Sequence, residues 1–580
     1  MCGLFGAVGR ADLPRHRVLE ALKGRGPDDA GTWADDGVLL LHTRLAIQDL
    51  SPLGHQPMVS GSGDLALVFN GEIYNQHELR QELKAQGVTF HSRSDTEVLL
   101  EGFRRWGHRL WGRLNGIFAV ACWEPQARRL TLARDGFGVK PLLWQRASWG
   151  CAFGSELSAF EAAGLASRQW LCPEGLERYA LWGAVAAPHT LLAGVEVFPA
   201  GHWGQWQPGG DWHVEGFADP LPLNAEGGST PRAYGPAPRD LTQALEGLEL
   251  RLHQAVRRQA IGDLPVGLFL SGGLDSGLLA ALLRLQHAGP IRSVSVGFRD
   301  LPGAVDESPL AARTAEHLGL EHHSLRIGQE ELDASFDPFL AAIDQPSIDG
   351  FNGHLVSQAA SDNGMRVAFS GLGADELFGG YGHMALRSRS RLLRVRQIHG
   401  HGLGWRARRR LRRERGLLLP APEPGALDRA SLPDASLLEL RGYLADTLLR
   451  DGDAVTMHRG LELRVPFLDP DLAAYALALP EAWHRAEGPK GLLRRMATPL
   501  LPPEVLNAPK RGFNLALAPW LLERERFAPS RIVHLLRQQL GAQGLRAPAA
   551  AVWTSWALLR ASGRWGPYWR WVVLAEWLAA

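Results

Sequence analysis

Short apolar runs separated by turn residues fill the first two hundred positions. The runs at 38–41, 65–69, 117–123 and 130–133 have the length and apolar character of strands. The last two are joined through Glu124-Pro125-Gln126, which predicts a hairpin. Helical spacing shows near 78–86 and 96–106, so this half reads as β-rich. Further on, the period changes. Leu241, Leu245, Leu248, Leu252 and Val256 recur every three or four residues behind Asp240, a residue able to cap a helix. A strand at 266–270 runs into Ser271-Gly272-Gly273-Leu274-Asp275-Ser276, and a leucine-rich helix follows. Strand 292–298, helix 309–318, strand 322–327 and strand 366–370 continue an alternation that predicts a parallel sheet with helices on its faces. The remainder reads as mainly helical.

Between Pro208 and Asp240, 12 of 33 residues are Gly or Pro, which predicts a linker. The expected division is therefore 1–207, a linker at 208–240, and 241–580. The stretch 387–415 holds 12 Arg against one acid, Glu414. Glycines at 400, 402 and 404 interrupt it, and Trp405 is its one aromatic, so it reads as a solvated helical hairpin and not a base-stacking surface. The whole chain carries a net charge of +1, against a general nucleic-acid binder. No apolar run reaches the ~18–20 residues that cross a bilayer. The first residues lack the pattern of a signal peptide, and four cysteines without a Cys-x-x-Cys pair are no disulfide scaffold. A cytoplasmic enzyme with no membrane partner is the expected class. The chain has 57 Arg and five Lys (Lys23, Lys84, Lys140, Lys490, Lys510), which singles out each remaining ammonium.

Two places carry candidate chemistry. With Met1 removed, Cys2 would hold a thiol and an α-amine that titrates near neutral pH, so nucleophile and base would share one residue. In Ser271–Ser276, glycines between a strand and a helix let backbone N–H groups approach phosphate, and the helix N-terminus favours negative charge. No Walker A sequence is present.

Around Cys2-Gly3-Leu4-Phe5-Gly6 stand Arg25-Gly26-Pro27-Asp28, His42-Thr43-Arg44-Leu45-Ala46-Ile47, Phe69-Asn70-Gly71-Glu72-Ile73-Tyr74-Asn75 and Ser94-Asp95-Thr96-Glu97. Arg134 to Pro141 and Phe153 to Leu157 follow. The set resembles the class II glutamine amidotransferases, an N-terminal-nucleophile family. The resemblance implies an αββα sandwich in which Cys2 is the nucleophile and Asn70 and Gly71 form the oxyanion hole. Arg44 would grip the carboxylate of glutamine, and Glu72 and Asp95 its ammonium group.

The loop Ser271–Ser276 resembles the pyrophosphate loop of ATP pyrophosphatases. Ser370-Gly371-Leu372-Gly373-Ala374-Asp375-Glu376, Glu462 to Asp469, Gly488-Pro489-Lys490-Gly491 and Pro509-Lys510-Arg511-Gly512-Phe513 extend the likeness. Nearly the whole chain is similar to glutamine-hydrolysing asparagine synthetases. This implies a second α/β domain of the adenine-nucleotide α-hydrolase type with a helical C-terminal part. It also implies ATP held by Leu270, Ser271, Gly272, Gly273, Asp275, Ser276, Val296, Ser370 and Gly371. Mg²⁺ would sit on Asp275 and Asp375, and Lys490 would neutralise the reacting phosphoryl oxygen. The implied substrates are glutamine, ATP and L-aspartate, and the implied assembly is a homodimer.

Two departures bear on the acceptor. Leu372 stands where asparagine synthetases commonly carry an acid, and an alkyl group can neither take a proton nor bind ammonium. Either Glu376 or Asp344 serves instead, or the acceptor is another carboxylate such as a sugar acid, a peptide side chain or a secondary metabolite. Asp453-Ala454-Val455-Thr456-Met457 also differs from the usual Asp-Arg-Met-Ser-Met. A non-catalytic binding protein is the third reading, and it predicts no ATP-dependent pyrophosphate release.

Overall fold

The computed structural model describes residues 2–217, 238–299, 306–385, 432–508 and 515–580. The Arg-rich stretch 387–415, Lys510 and most of the expected linker lie outside these residues.

Residues 2–216 form two six-stranded antiparallel sheets. Edge to edge, the first runs Glu196–Val197, Leu143–Ala147, Gly150–Gly154, Cys2–Val8, Val38–Arg44 and Asp29–Asp35. The second runs His213–Gly216, His202–Trp206, Arg129–Arg134, Gly116–Glu124, Ala66–Ile73 and Met58–Val59. Side chains alternate across each strand. Leu4, Val8, Val38 and Leu40 meet Ala66, Val68, Ala119 and Ala121 between the sheets. Phe5, Ala7, Leu39 and Leu41 turn outward onto the helices Arg15–Leu22 and Leu157–Ala162. On the far side, Leu67 and Phe69 turn onto Gln76–Ala85 and Asp95–Trp106. Both faces of both sheets are covered, which is why these strands read as continuous apolar runs. The result is a helix–sheet–sheet–helix sandwich. The hairpin between the strands Gly116–Glu124 and Arg129–Arg134 forms as expected. Within the stretch expected as linker, His213–Gly216 pairs with His202–Trp206 as an edge strand.

The second half is built on a parallel sheet ordered Glu321–Ile327, Arg292–Phe298, Gly267–Phe269, Val367–Phe369, Glu462–Arg464. Successive strands grow to one side from Gly267–Phe269 and then to the other through Val367–Phe369. The point of reversal therefore lies between these two strands, and in open parallel sheets ligands bind at the carboxyl ends of strands there. Both Gly-rich loops leave from that place.

A helical run from Leu432 to Met457 winds wide over Leu440–Leu449. The last helix, Gly566–Ala579, is almost wholly buried. Its Trp569 packs among Phe336, Phe351 and Trp520. Arg570 donates to Ala180 O at 2.8 Å, and Tyr179 Oη donates to Arg570 O at 2.7 Å, so this helix also clamps the first half. Leu45, Tyr74, Ile117, Phe137 and Val139 of the first half share one apolar cluster with Met457, Val465 and Phe467 of the second.

Candidate active sites

Cys2 opens a central strand and is 6% exposed. Burial pushes its thiol above the usual range, against the nearby positive charge and the Leu45 backbone N–H, which pull it down. Its N–H donates to Asn70 Oδ1 at 3.0 Å, and its carbonyl accepts from Arg25 Nε at 3.1 Å. With its oxygen engaged, Asn70 retains a buried Nδ2 that has no hydrogen-bond partner among the described residues. That is a donor of the kind a developing oxyanion takes. Gly71 has φ +154°, and a Cβ there would lie 2.0 Å from Ile117 O, so only glycine fits.

Asp95 Oδ2 accepts the Ile73 N–H at 3.0 Å, and burial pushes its carboxyl up to about 6. Glu72 is pushed well above the usual range by burial and then by Glu462. Gln48 donates to Glu72. Arg44 is engaged by backbone carbonyls. Its NH1 donates to Ser51 O at 2.9 Å and its NH2 to Asp49 O and Gln48 O, so here it holds the 48–51 loop by backbone carbonyls.

The second site is a cavity of about 630 Å³ at the carboxyl end of the parallel sheet. Leu270, Ser271, Gly272, Gly273, Asp275, Ser276, Val296, Ser370, Gly371, Asp375 and Lys490 all line it. Ser276 Oγ ties the first loop together, accepting the Ser271 N–H at 3.1 Å and lying 2.9 Å from Ser271 Oγ. Lys490, in a left-handed conformation at φ +56°, reaches Asp275 and lies 2.6 Å from Asp375 Oδ1. Burial works against its charge, but Asp275 and then Asp375 outweigh it and hold the ammonium above the usual lysine range. A Cβ on Gly380 would meet Asp375 Oδ1 at 1.8 Å and Lys490 Cε at 2.2 Å, so glycine is required for this cradle. Two hard oxygen donors thus converge on one cationic point, which fits Mg²⁺ shared with phosphate oxygens. No larger His, Cys, Asp or Glu cluster suited to a metal occurs among the described residues.

Leu372 lines the same cavity, and so does Glu376. Tyr381 Oη donates to Glu376 Oε1 at 2.6 Å; burial, and then Asp375, push this carboxyl up to about 7. Asp344 is not among the lining residues. It accepts the Leu157 N–H at 2.7 Å, on the side of the first half. The sequence reading passed over Tyr443, which lines the cavity and donates to Asp349.

The two sites share walls. Leu463 lines the cavity, while its strand neighbour Arg464 pairs with Glu462 and lies 3.6 Å from Glu72. Asp453 pairs with Arg25 at 2.7 Å and with Lys140 at 2.6 Å. These cross-half pairs were not foreseen; the motifs holding Arg25, Lys140, Asp453 and Glu462 were the signal.

Comparison with known proteins bears on both halves. Residues 247–579 match the family profile described as asparagine synthase, and residues 1–214 match that of a glutamine amidotransferase domain. A putative glutamine-hydrolysing asparagine synthetase from Mycobacterium tuberculosis is 32% identical, covering 87% of this chain and 84% of its own. Glutamine-hydrolysing asparagine synthetase 1 of Bacillus subtilis is 29% identical over 90% and 88%. A Gibberella zeae protein named amidase chry2 is 30% identical over 63% and 54%. No described helix is long and apolar enough to cross a membrane.

Proposed function

The chain belongs to the asparagine synthase family of glutamine-hydrolysing amidotransferases, and from that premise we propose that it amidates L-aspartate to asparagine with ammonia from glutamine. The observation that carries this reading is the meeting of both Gly-rich loops with Lys490 in one cavity.

In the first domain (1–207 as read from sequence, extended to 216 by its edge strand), Cys2 Sγ attacks the glutamine γ-carbonyl. Asn70 Nδ2 and the Gly71 N–H receive the oxyanion, and the α-amine of Cys2 passes the thiol proton to the departing nitrogen. The C–N bond breaks, ammonia leaves, and water hydrolyses the thioester to glutamate. Glu72 and Asp95 hold the substrate ammonium.

In the second domain, a carboxylate oxygen of the acceptor attacks the α-phosphorus of ATP. The bond to the bridging oxygen breaks, releasing pyrophosphate and leaving an acyl-adenylate. The loop 271–276 and Lys490 hold the charge that develops on phosphate oxygens. Asp275 and Asp375 would hold Mg²⁺, which when bound screens the phosphates. Ammonia then attacks the acyl carbon, AMP departs, and Glu376 takes the excess proton in place of the acid missing at Leu372.

Leu372 favours a second reading, in which the same chemistry amidates a different carboxylate such as a sugar acid or peptide side chain. One assay decides between them. Pyrophosphate release is measured with glutamine, ATP and a panel of acids, aspartate first. Release with aspartate supports the first reading; silence there with release on another acid establishes the second. Cys2→Ala should abolish glutamine-dependent amide formation and leave amide formation supported by ammonium salts. Glutamine still serving the variant would refute the nucleophile.

A further inference from the structure

One helix of the second half touches both sites. In Arg450–Met457, Asp451, Gly452, Val455 and Thr456 line the nucleotide cavity. At 3.6 residues per turn these four share one arc, and Asp453 falls outside it. Its carboxylate accepts from Lys140 Nζ at 2.6 Å and pairs with Arg25 NH2 at 2.7 Å, all three side chains being at most 4% exposed. Arg25 is fixed at its other end by Glu156, 2.7 Å from NH1, and its Nε donates to the Cys2 carbonyl at 3.1 Å. A continuous buried path therefore runs from the cavity wall, through the thickness of one helix, to the backbone of Cys2.

Buried ion pairs are poorly screened, and a close-packed interior transmits small displacements instead of absorbing them. A ligand that pressed on Val455 and Thr456 would shift the helix and carry the Asp453 carboxylate with it. Arg25, anchored by Glu156, would then change its hold on Cys2 and so the place of Sγ relative to Asn70.

We propose that Asp453 is a positioning residue through which occupancy of the nucleotide cavity sets the reactivity of Cys2. The inference rests on the reading of Cys2 as the glutamine-hydrolysing nucleophile and adds to it a route of control. Any part of this coupling that acts on glutamine binding is reciprocal, and to that extent glutamine changes ATP affinity by the same factor.

The test follows glutamate formation from glutamine on the full chain, with and without Mg·ATP and with no acceptor added. ATP binding is titrated in parallel. In the unaltered protein, Mg·ATP is expected to change kcat/KM for glutamine by about fivefold or more, the lower end of common site-to-site couplings. Asp453→Asn should lose this response while binding Mg·ATP with unchanged affinity, a separation that a general loss of structure would not produce. A full response in that variant, or none in the unaltered protein, overturns the proposal. Should Asp453→Asn fail to fold, Asp453→Glu keeps the charge and moves it by one methylene. A weakened response there supports the proposal, and an unchanged one overturns it. If the unaltered protein forms no glutamate under any condition, or Cys2→Ala forms it as fast, the reading of Cys2 itself falls, and this inference with it.

Discussion

Asp95 is the residue whose ionisation should show in the rate of glutamine hydrolysis. Burial, offset by the Ile73 N–H and reinforced by Glu462, places its carboxyl at about 6. The substrate ammonium needs the ionised form. As pH falls through 6 the group takes up a proton and its hold on glutamine weakens, so kcat/KM for glutamine should drop with falling pH while kcat changes less. Asp95→Asn should lose that acid limb and bind glutamine weakly at every pH. A variant that keeps the limb would place the titration on another group. Glu376 differs because it lines the other cavity, where the proposed function puts the acceptor. Its protonation near 7 would slow amide formation and leave glutamine hydrolysis untouched.

At the scale of elements, the closing helix Gly566–Ala579 is a structural wall of the cavity. Trp569 is 1% exposed and lines the site together with Trp565. Trp569→Ala should cost about 3–5 kcal/mol, as large aromatic truncations in cores do, and lower the denaturant midpoint accordingly. Nucleotide affinity should fall as well, because the wall recedes; a stable variant with native affinity would show the wall to be dispensable. The elements also explain what could be read from the sequence. The strands Ala66–Ile73 and Gly116–Glu124 were legible because both faces are covered, which makes nearly every side chain apolar. The strand Glu462–Arg464 was not, since two of its three residues are charged. They are buried only because they neutralise each other and meet Glu72 from the other half. His213–Gly216 was hidden by glycine and proline on its flanks. The loops that carry the candidate nucleotide site were visible as motifs, because glycine at fixed spacing is a local backbone requirement. Asp453 with Arg25 and Lys140 was not visible, because no local signal joins residues so far apart.

The whole molecule is held as one body by what crosses its middle. Apolar residues of both halves pack in one cluster, and Arg25, Lys140 and Glu72 each meet a buried opposite charge across the seam. Separation would break those pairs at a cost of about 3–5 kcal/mol each. Calorimetry should therefore show a single cooperative unfolding transition, and two resolved transitions would mean that the seam is weaker than its chemistry implies. The same architecture places amines unusually. Lys23 and Lys84 lie at the surface, whereas Lys140 is 1% and Lys490 6% exposed. Almost all surface cation is guanidinium, which acylating reagents leave alone. A brief exposure to an amine-directed label would thus report on very few positions. Acylation of Lys490, read by peptide mass and blocked by nucleotide, would time the opening of the cavity directly against a nearly silent background.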